Sequence, residues 1–322
     1  MSSEILESIN LESESALITV CWRQWYTLGA PIASKQYSSS RFIIDPEGLL
    51  LASLGLLETE RRLAEVLAWW MHVGSELNSI QRFSTLLERY PPRIKELVAG
   101  LATISVEAGD KRWGKYVEKD SEPLTQRKGK GPTPLHIRSN SALTLRLRAA
   151  FGVGLKSDLY AYLISSDRPV SAPEIADDIY YTIPAVREAL SGFLLAGVIQ
   201  QKSGRPARYR MDPFGWTSAF SPDLRRIAET TGTEWTGRPE WRFYGELLCF
   251  LLKVSDWASS RSEDASEYIL ASQARDLLEA DRRSLEKTTV RLPSMTDHLG
   301  EDFLSAFGEY IERLSTWIMA SD

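Results

Sequence analysis

Two cysteines and three histidines are all that 322 residues offer toward disulfide or metal chemistry. Cys21 and Cys249 lie far apart inside apolar helical patterns, so a disulfide framework is excluded. They read as reduced, buried small hydrophobes of a cytoplasmic protein, with a redox role as the minor alternative. His72, His136 and His298 are scattered, and no Cys/His spacing fits a metal site. Phosphate-cradling glycine loops are missing as well: Gly152-Val153-Gly154 lacks a third glycine and follows no clear strand. Gly74-Ser75 has the look of a nucleotidyltransferase start, but no Asp-x-Asp pair follows to hold a metal. The chain therefore does not read as an enzyme, and neither a metal nor another cofactor is expected.

Long apolar runs are absent too. None reaches the roughly 18–20 residues needed to cross a bilayer, and Met1-Ser2-Ser3-Glu4 lacks the basic-then-apolar pattern of a signal peptide, so no membrane association is expected. With 43% hydrophobic and 25% charged residues the composition is that of a soluble globular protein, and the length suits two or three domains.

Positive charge is in deficit overall, at a net -5, which argues at first against a nucleic-acid partner. Its distribution reverses that argument. Residues 1–120 carry 13 basic against 16 acidic side chains and residues 240–322 carry 9 against 16, whereas 121–215 carry 13 against 8, a net +5. Between Pro123 and Ser157 there is no acid, yet Arg127, Lys128, Lys130, Arg138, Arg146, Arg148 and Lys156 all fall there. A local basic patch on an acidic protein meets the needs of a DNA binder, because phosphate contacts are short-range and screened by salt. For the part before Asn140, a solvated linker of no consequence is an equal alternative.

Periodicity predicts mostly helix. Ser13-Glu14-Ser15 precedes the apolar run from Ala16 to Leu28, which stops at Gly29-Ala30-Pro31. Asp45-Pro46-Glu47 combines a capping carboxylate, a first-turn proline and an acid at the helix's positive end. Leu49 to Trp70 reads as two helices broken around Gly55 to Thr59, and Gln81–Tyr90 and Arg93–Val106 as two more. Trp22, Trp25, Trp69, Trp70 and Trp113 predict an aromatic core in preference to an aromatic ligand site. Ser121–Asn140, with Gly129-Lys130-Gly131-Pro132-Thr133-Pro134, reads as a linker, and Trp216–Pro239 as a second connection. Trp241–Trp257, Glu263–Asp281 and about Thr296–Met319 complete the helices. In the last of these Phe303, Phe307, Tyr310, Ile311, Leu314 and Ile318 form one apolar stripe. That stripe either makes a dimer or closes the block's own core.

The central segment reads as a winged helix-turn-helix. An apolar helix over Lys156–Ile164 is followed by a short one over Ser171–Ile179, a second that opens at Thr182-Ile183-Pro184 and closes at Ala196-Gly197, and a two-stranded ribbon with its tip at Ser203-Gly204-Arg205-Pro206. Val186, Leu190, Phe193 and Leu194 should pack against Leu159, Leu163, Ile175 and Ile179. The opposite face presents Thr182, Pro184, Ala185, Arg187, Glu188 and Ser191, with Arg187 as the one long donor able to pair with guanine. On the ribbon Ala207, Tyr209 and Met211 alternate with Arg208 and Arg210, so one face packs while Lys202, Arg205, Arg208 and Arg210 make the other cationic.

On Pro173-Glu174-Ile175-Ala176, Val186-Arg187-Glu188-Ala189-Leu190, Leu195-Ala196-Gly197-Val198-Ile199 and Gly204-Arg205-Pro206-Ala207-Arg208-Tyr209-Arg210, the chain resembles winged regulators of the MarR and ArsR kind over about 65 residues. The resemblance implies DNA binding as a homodimer and control of transcription. Two features depart from it: Tyr180-Tyr181 stands where a small turn residue is usual, and Glu174, Asp177 and Asp178 place acid on the supporting helix.

The expected molecule is mainly α: a helical domain over 1–120, a basic linker over 121–140, a winged helix-turn-helix over 141–215 and a helical C-terminal domain over 216–322. Its expected function is sequence-specific binding of double-stranded DNA as a transcriptional regulator, a repressor in the simplest case. The recognition helix at 182–196 would enter the major groove, and the basic wing at 202–210 would lie on backbone or minor groove. The rival reading, from another class, is a protein-binding module such as an antitoxin or assembly factor.

Overall fold

The computed structural model describes residues 2–31, 42–119, 121–125, 133–211, 239–260, 266–295 and 300–320. It is mainly helical, with one small three-stranded antiparallel sheet. The linker cations Arg127, Lys128 and Lys130, the connection expected at 216–239 and the starts expected at Glu263 and Thr296 fall on or against residues outside this set.

Helix α1 spans Ser2–Thr27, much longer than the run after Ser15. Leu6, Ile9, Ser13, Ala16, Leu17 and Val20 recur at three- and four-residue steps and are all buried, so the same face continues through the acid-rich first half. The chain leaves α1 through Gly29, at φ +87°. Helix α2 (Pro46–Gly55) starts as predicted: Asp45 caps it, accepting from the Gly48 amide at 3.2 Å, and Pro46 occupies the first turn. Helices α3 (Leu63–Val73), α4 (Ile80–Leu87) and α5 (Pro92–Glu107) follow, and Ser79 caps α4. Trp25, Trp69 and Trp70 meet edge-on or tilted at 5.4–6.5 Å, and Trp25 donates its indole proton to Ser53 Oγ at 2.8 Å. Packing, not a ligand cage, accounts for this cluster.

Beyond the central segment come α10 (Tyr244–Ser259), α11 (Glu267–Leu285) and α12 (Glu301–Met319). Helix α1 packs against both α10 and α12, and α10 packs against α2. The helical blocks on either side of the central segment thus contribute to one continuous apolar core. The α12 stripe takes the second of its two expected roles. Phe303, Phe307, Tyr310, Ile311, Leu314 and Ile318 are fully buried within the single chain, so this face is not a surface on which a second copy could dock.

Helices α2 and α10 cross at glycines. A Cβ on Gly48 would stand 2.7 Å from the Gly245 Cα, and Tyr90 Oη lies 3.2 Å from the carbonyl oxygens of both glycines. A Cβ on Gly245 would meet Tyr180 Oη at 2.7 Å and Asp45 Oδ2 at 2.9 Å. Gly245→Ala is therefore expected to lower stability by about 1–3 kcal/mol, the usual range for an overpacked core. Urea unfolding checks this, and an unchanged midpoint would mean that the crossing is looser than described.

The stretch from 133 to 142 lies on the helical body. Trp69 Nε1 donates to the Thr133 carbonyl at 3.0 Å, the His136 amide donates to Leu28 O at 2.9 Å, and Leu135 and Ile137 pack against the core. The described end of the predicted linker is thus docked by ordinary burial of apolar side chains.

Candidate nucleic-acid interface

The central segment forms its own apolar core. Helix α6 (Leu143–Phe151) leads into α7 (Leu155–Ser165), strand β1 (Val170–Ser171), α8 (Ala172–Asp178), α9 (Ile183–Leu195) and strands β2 (Gln200–Lys202) and β3 (Arg208–Arg210). Val186 and Leu190 of α9 pack with Leu159, Leu163, Ile175 and Ile179 as their spacing predicts, and Phe193 meets Tyr160 edge-on at 6.1 Å. Helix α8 opens on a capping box: Ser171 Oγ accepts from the Glu174 amide, while Glu174 accepts from the Ser171 amide at 2.7 Å. Helix α9 closes at Gly197, whose φ of +68° lets the Val198 amide reach back to Phe193 O at 2.9 Å.

The sheet order is β1-β3-β2, both pairings antiparallel. The ribbon predicted from residues 198–211 acquires a third strand, β1, which at two residues is too short to show any period. Lys202 lies opposite Arg208 and Gln200 opposite Arg210, so these side chains share one face of the ribbon while Tyr209 packs on the core.

Thr182, Pro184, Arg187 and Ser191 are exposed on α9, and Ala185 is half-buried. Ser191 Oγ donates back to the Arg187 carbonyl at 2.9 Å, which leaves its oxygen as an acceptor. Lys202, Arg205, Arg208 and Arg210 are all exposed. Arg208 is already engaged: its guanidinium donates to Pro169 O at 3.1 Å and lies 3.4 Å from Glu174. Arg168 pairs with Glu174 at 3.0 Å. Burial works against the Glu174 charge, but the bonds from Ser171 and Arg168 outweigh it and hold the carboxyl down at about 2. The capping acid of α8 is thus neutralised locally.

The other two acids of α8 face the helical body. Lys287, just past α11, lies 3.2 Å from Asp177 and 2.6 Å from Asp178, and Arg283 reaches Asp177 at 3.3 Å. Tyr162 donates its phenolic proton to Asp178.

Tyr180 and Tyr181, unusual in such a turn, anchor the unit to that body. Tyr180 takes the left-handed φ of +59° and inserts a ring that is only 5% exposed. The Arg82 and Arg89 guanidiniums lie 5.3 and 5.1 Å from its centroid. Arg82 Nε donates to the Ile179 carbonyl at 3.1 Å, and Tyr181 Oη to Asp158 at 2.9 Å.

The basic patch has fewer surface cations than the charge count along the chain predicts. Arg148, counted among its surface cations, is 1% exposed and lies in a buried ion network. It donates to Asp158 at 2.7 and 3.0 Å and to Glu47 at 2.6 and 3.2 Å, while Arg82 pairs with Glu47 at 2.6 Å and Asp45 at 2.8 Å. Linear charge counting missed this network, because three of its four ion pairs join residues 35 to 101 positions apart. The two thiols are free and buried, and burial pushes both up to about 12, away from redox reactivity. Compared with family models, curated proteins and solved structures, the chain matches none of them.

Proposed function

We propose that residues 155–210 act as a winged helix-turn-helix that binds double-stranded DNA, with α9 in the major groove and the β2–β3 ribbon on the flanking backbone. The observation that carries this reading is the chain order helix–strand–helix–helix–strand–strand with sheet order β1-β3-β2, joined to a second helix whose outer face is exposed. The acids of α8 add support, since each is paired within the protein and none is left to repel phosphates. Arg187 reads a base edge, Thr182, Pro184, Ala185 and Ser191 line the groove contact, and Lys202, Arg205 and Arg210 meet phosphates or the minor groove. The biological role is transcriptional regulation, by repression in the simplest case. Two half-sites call for two copies of the chain, which would meet elsewhere than on the buried face of α12.

Mobility shifts across a salt series test this. Arg205→Ala should weaken binding to every duplex and flatten the slope of log K against log salt by about 0.9, one phosphate's worth. Arg208→Ala should change the slope less, because Glu174 already balances that charge. Arg187→Ala should relax preference at one base position at a cost of about 1–3 kcal/mol. A protein-binding role is the second reading, favoured by the exposed apolar Leu195 (92% exposed) and Ile183 at the two ends of α9. Binding that ignores salt and the ribbon arginines would select it.

A further inference from the structure

Polar contacts hold α8 against the C-terminal helices, and one group among them is out of balance. Glu246, in the first turn of α10, is 4% exposed, and neither carboxylate oxygen has a hydrogen bond among the described residues. Among the described residues its close cations are Arg89 at 3.6 Å and Lys287 at 3.7 Å. Lys287 is shared with Asp177 and Asp178, so three carboxylates converge on one ammonium whose Nζ lies 4.7 Å from the centre of the Phe243 ring. The other ionisable neighbours are Arg283, paired with Asp177, Tyr162 on Asp178, and Tyr90 and Tyr180, whose phenols burial pushes well above their ordinary range. Asp45 is balanced by Arg82. A cleft of about 520 Å³ opens beside the seam, lined from both sides by Tyr162, Asp177, Trp241, Phe243 and Arg283. The seam is therefore not sealed by apolar packing.

We infer that Glu246 is a proton-operated latch: protonated, it lets α8 close on Lys287, and ionised, it loosens that closure. An ionised Glu246 is a buried charge without a hydrogen bond, and it repels Asp177 and Asp178 across their shared cation. Protonation removes the repulsion and lessens the cost of burial. Burial, with repulsion from Asp178 and Asp177, outweighs Lys287 and Arg89 and lifts this carboxyl to about 7. A group whose closed-state pKa is raised favours closure fully below the ordinary solvated carboxyl value near 4.5. That preference fades as the pH climbs to about 7 and is flat above it. The inference goes beyond DNA binding and does not depend on what α9 contacts.

Two measurements on the full chain test it. Carboxyl ¹³C NMR of glutamate-labelled protein should show one resonance with a midpoint near 7, and that resonance should be missing in Glu246→Gln. If every glutamate of the native protein titrates below about 5.5, the latch is excluded, whatever the variant does. Hydrogen exchange of the α8 amides, corrected for the intrinsic rate, should accelerate by up to about thirtyfold from about pH 5.5 to about pH 8. In Glu246→Gln it should stay at the slow, low-pH level. Equal protection at both pH values, or the same pH response in the variant, would overturn the proposal.

Discussion

Replacement of Arg148 by alanine is expected to lower the stability of the protein by about 3–5 kcal/mol, the cost of stripping one partner from a buried ion network. Arg148 donates five hydrogen bonds, two to Glu47, two to Asp158 and one to the Leu77 carbonyl at 2.9 Å. Without it Glu47 keeps Arg82 and the Ser79 amide, whereas Asp158 keeps, among the described residues, only the Tyr181 hydroxyl. Asp158, 1% exposed, would then be a buried carboxylate with no cation bonded to it. The network joins α2 and α4 of the body to α6 and α7, so the loss should also loosen the mounting of the α8–α9 unit. Urea unfolding measures this. A loss below about 1 kcal/mol would mean that the network contributes no more than a surface pair.

The second large effect concerns α12. A chain ending at Leu292 should fail to fold, not merely fail to associate. Seven side chains would go with the helix from full burial, namely Phe303, Leu304, Phe307, Tyr310, Ile311, Leu314 and Ile318. At about 1.5–3 kcal/mol for each large apolar side chain, that is at least about 10 kcal/mol, comparable with the whole stability of an ordinary domain. The apolar face of α1 would also be uncovered, for α1 packs along α12, where a Cβ added at Gly308 would stand 3.7 Å from Ile5 and Ile9. Circular dichroism and light scattering of the truncated protein give the answer. A soluble, cooperatively folded product would contradict the shared core.

What could be read from the sequence was local. Asp45-Pro46 marked a helix start because capping needs neighbours only three residues away, and the α9 face followed from its spacing. Glu47 shows where local reading stops. Its position in a first turn is explained by helix charge alone, yet its partners are Arg82 and Arg148, on other helices. Arg148 was misplaced for the matching reason: a charge count along the chain does not register burial. Ser13 looked like a boundary but is a fully buried residue on the continuous face of α1. Tyr180 stood out as a misfit to its turn, and only the body into which it inserts accounts for it. Within the candidate site the exposed cations were legible one by one. The Arg208–Glu174 contact was not, because it depends on strand β1.

The proposed role rests most directly on whether this chain selects DNA by sequence. Selection from a library of random duplexes at about 0.15 M salt, followed by sequencing of the bound fraction, puts that to the test. The proposal predicts enrichment of a short motif, with preference at one G·C position lost in Arg187→Ala and with affinity, but not motif, weakened in Arg205→Ala. A bound pool as random as the input, or retention that ignores both substitutions and the salt concentration, would contradict it.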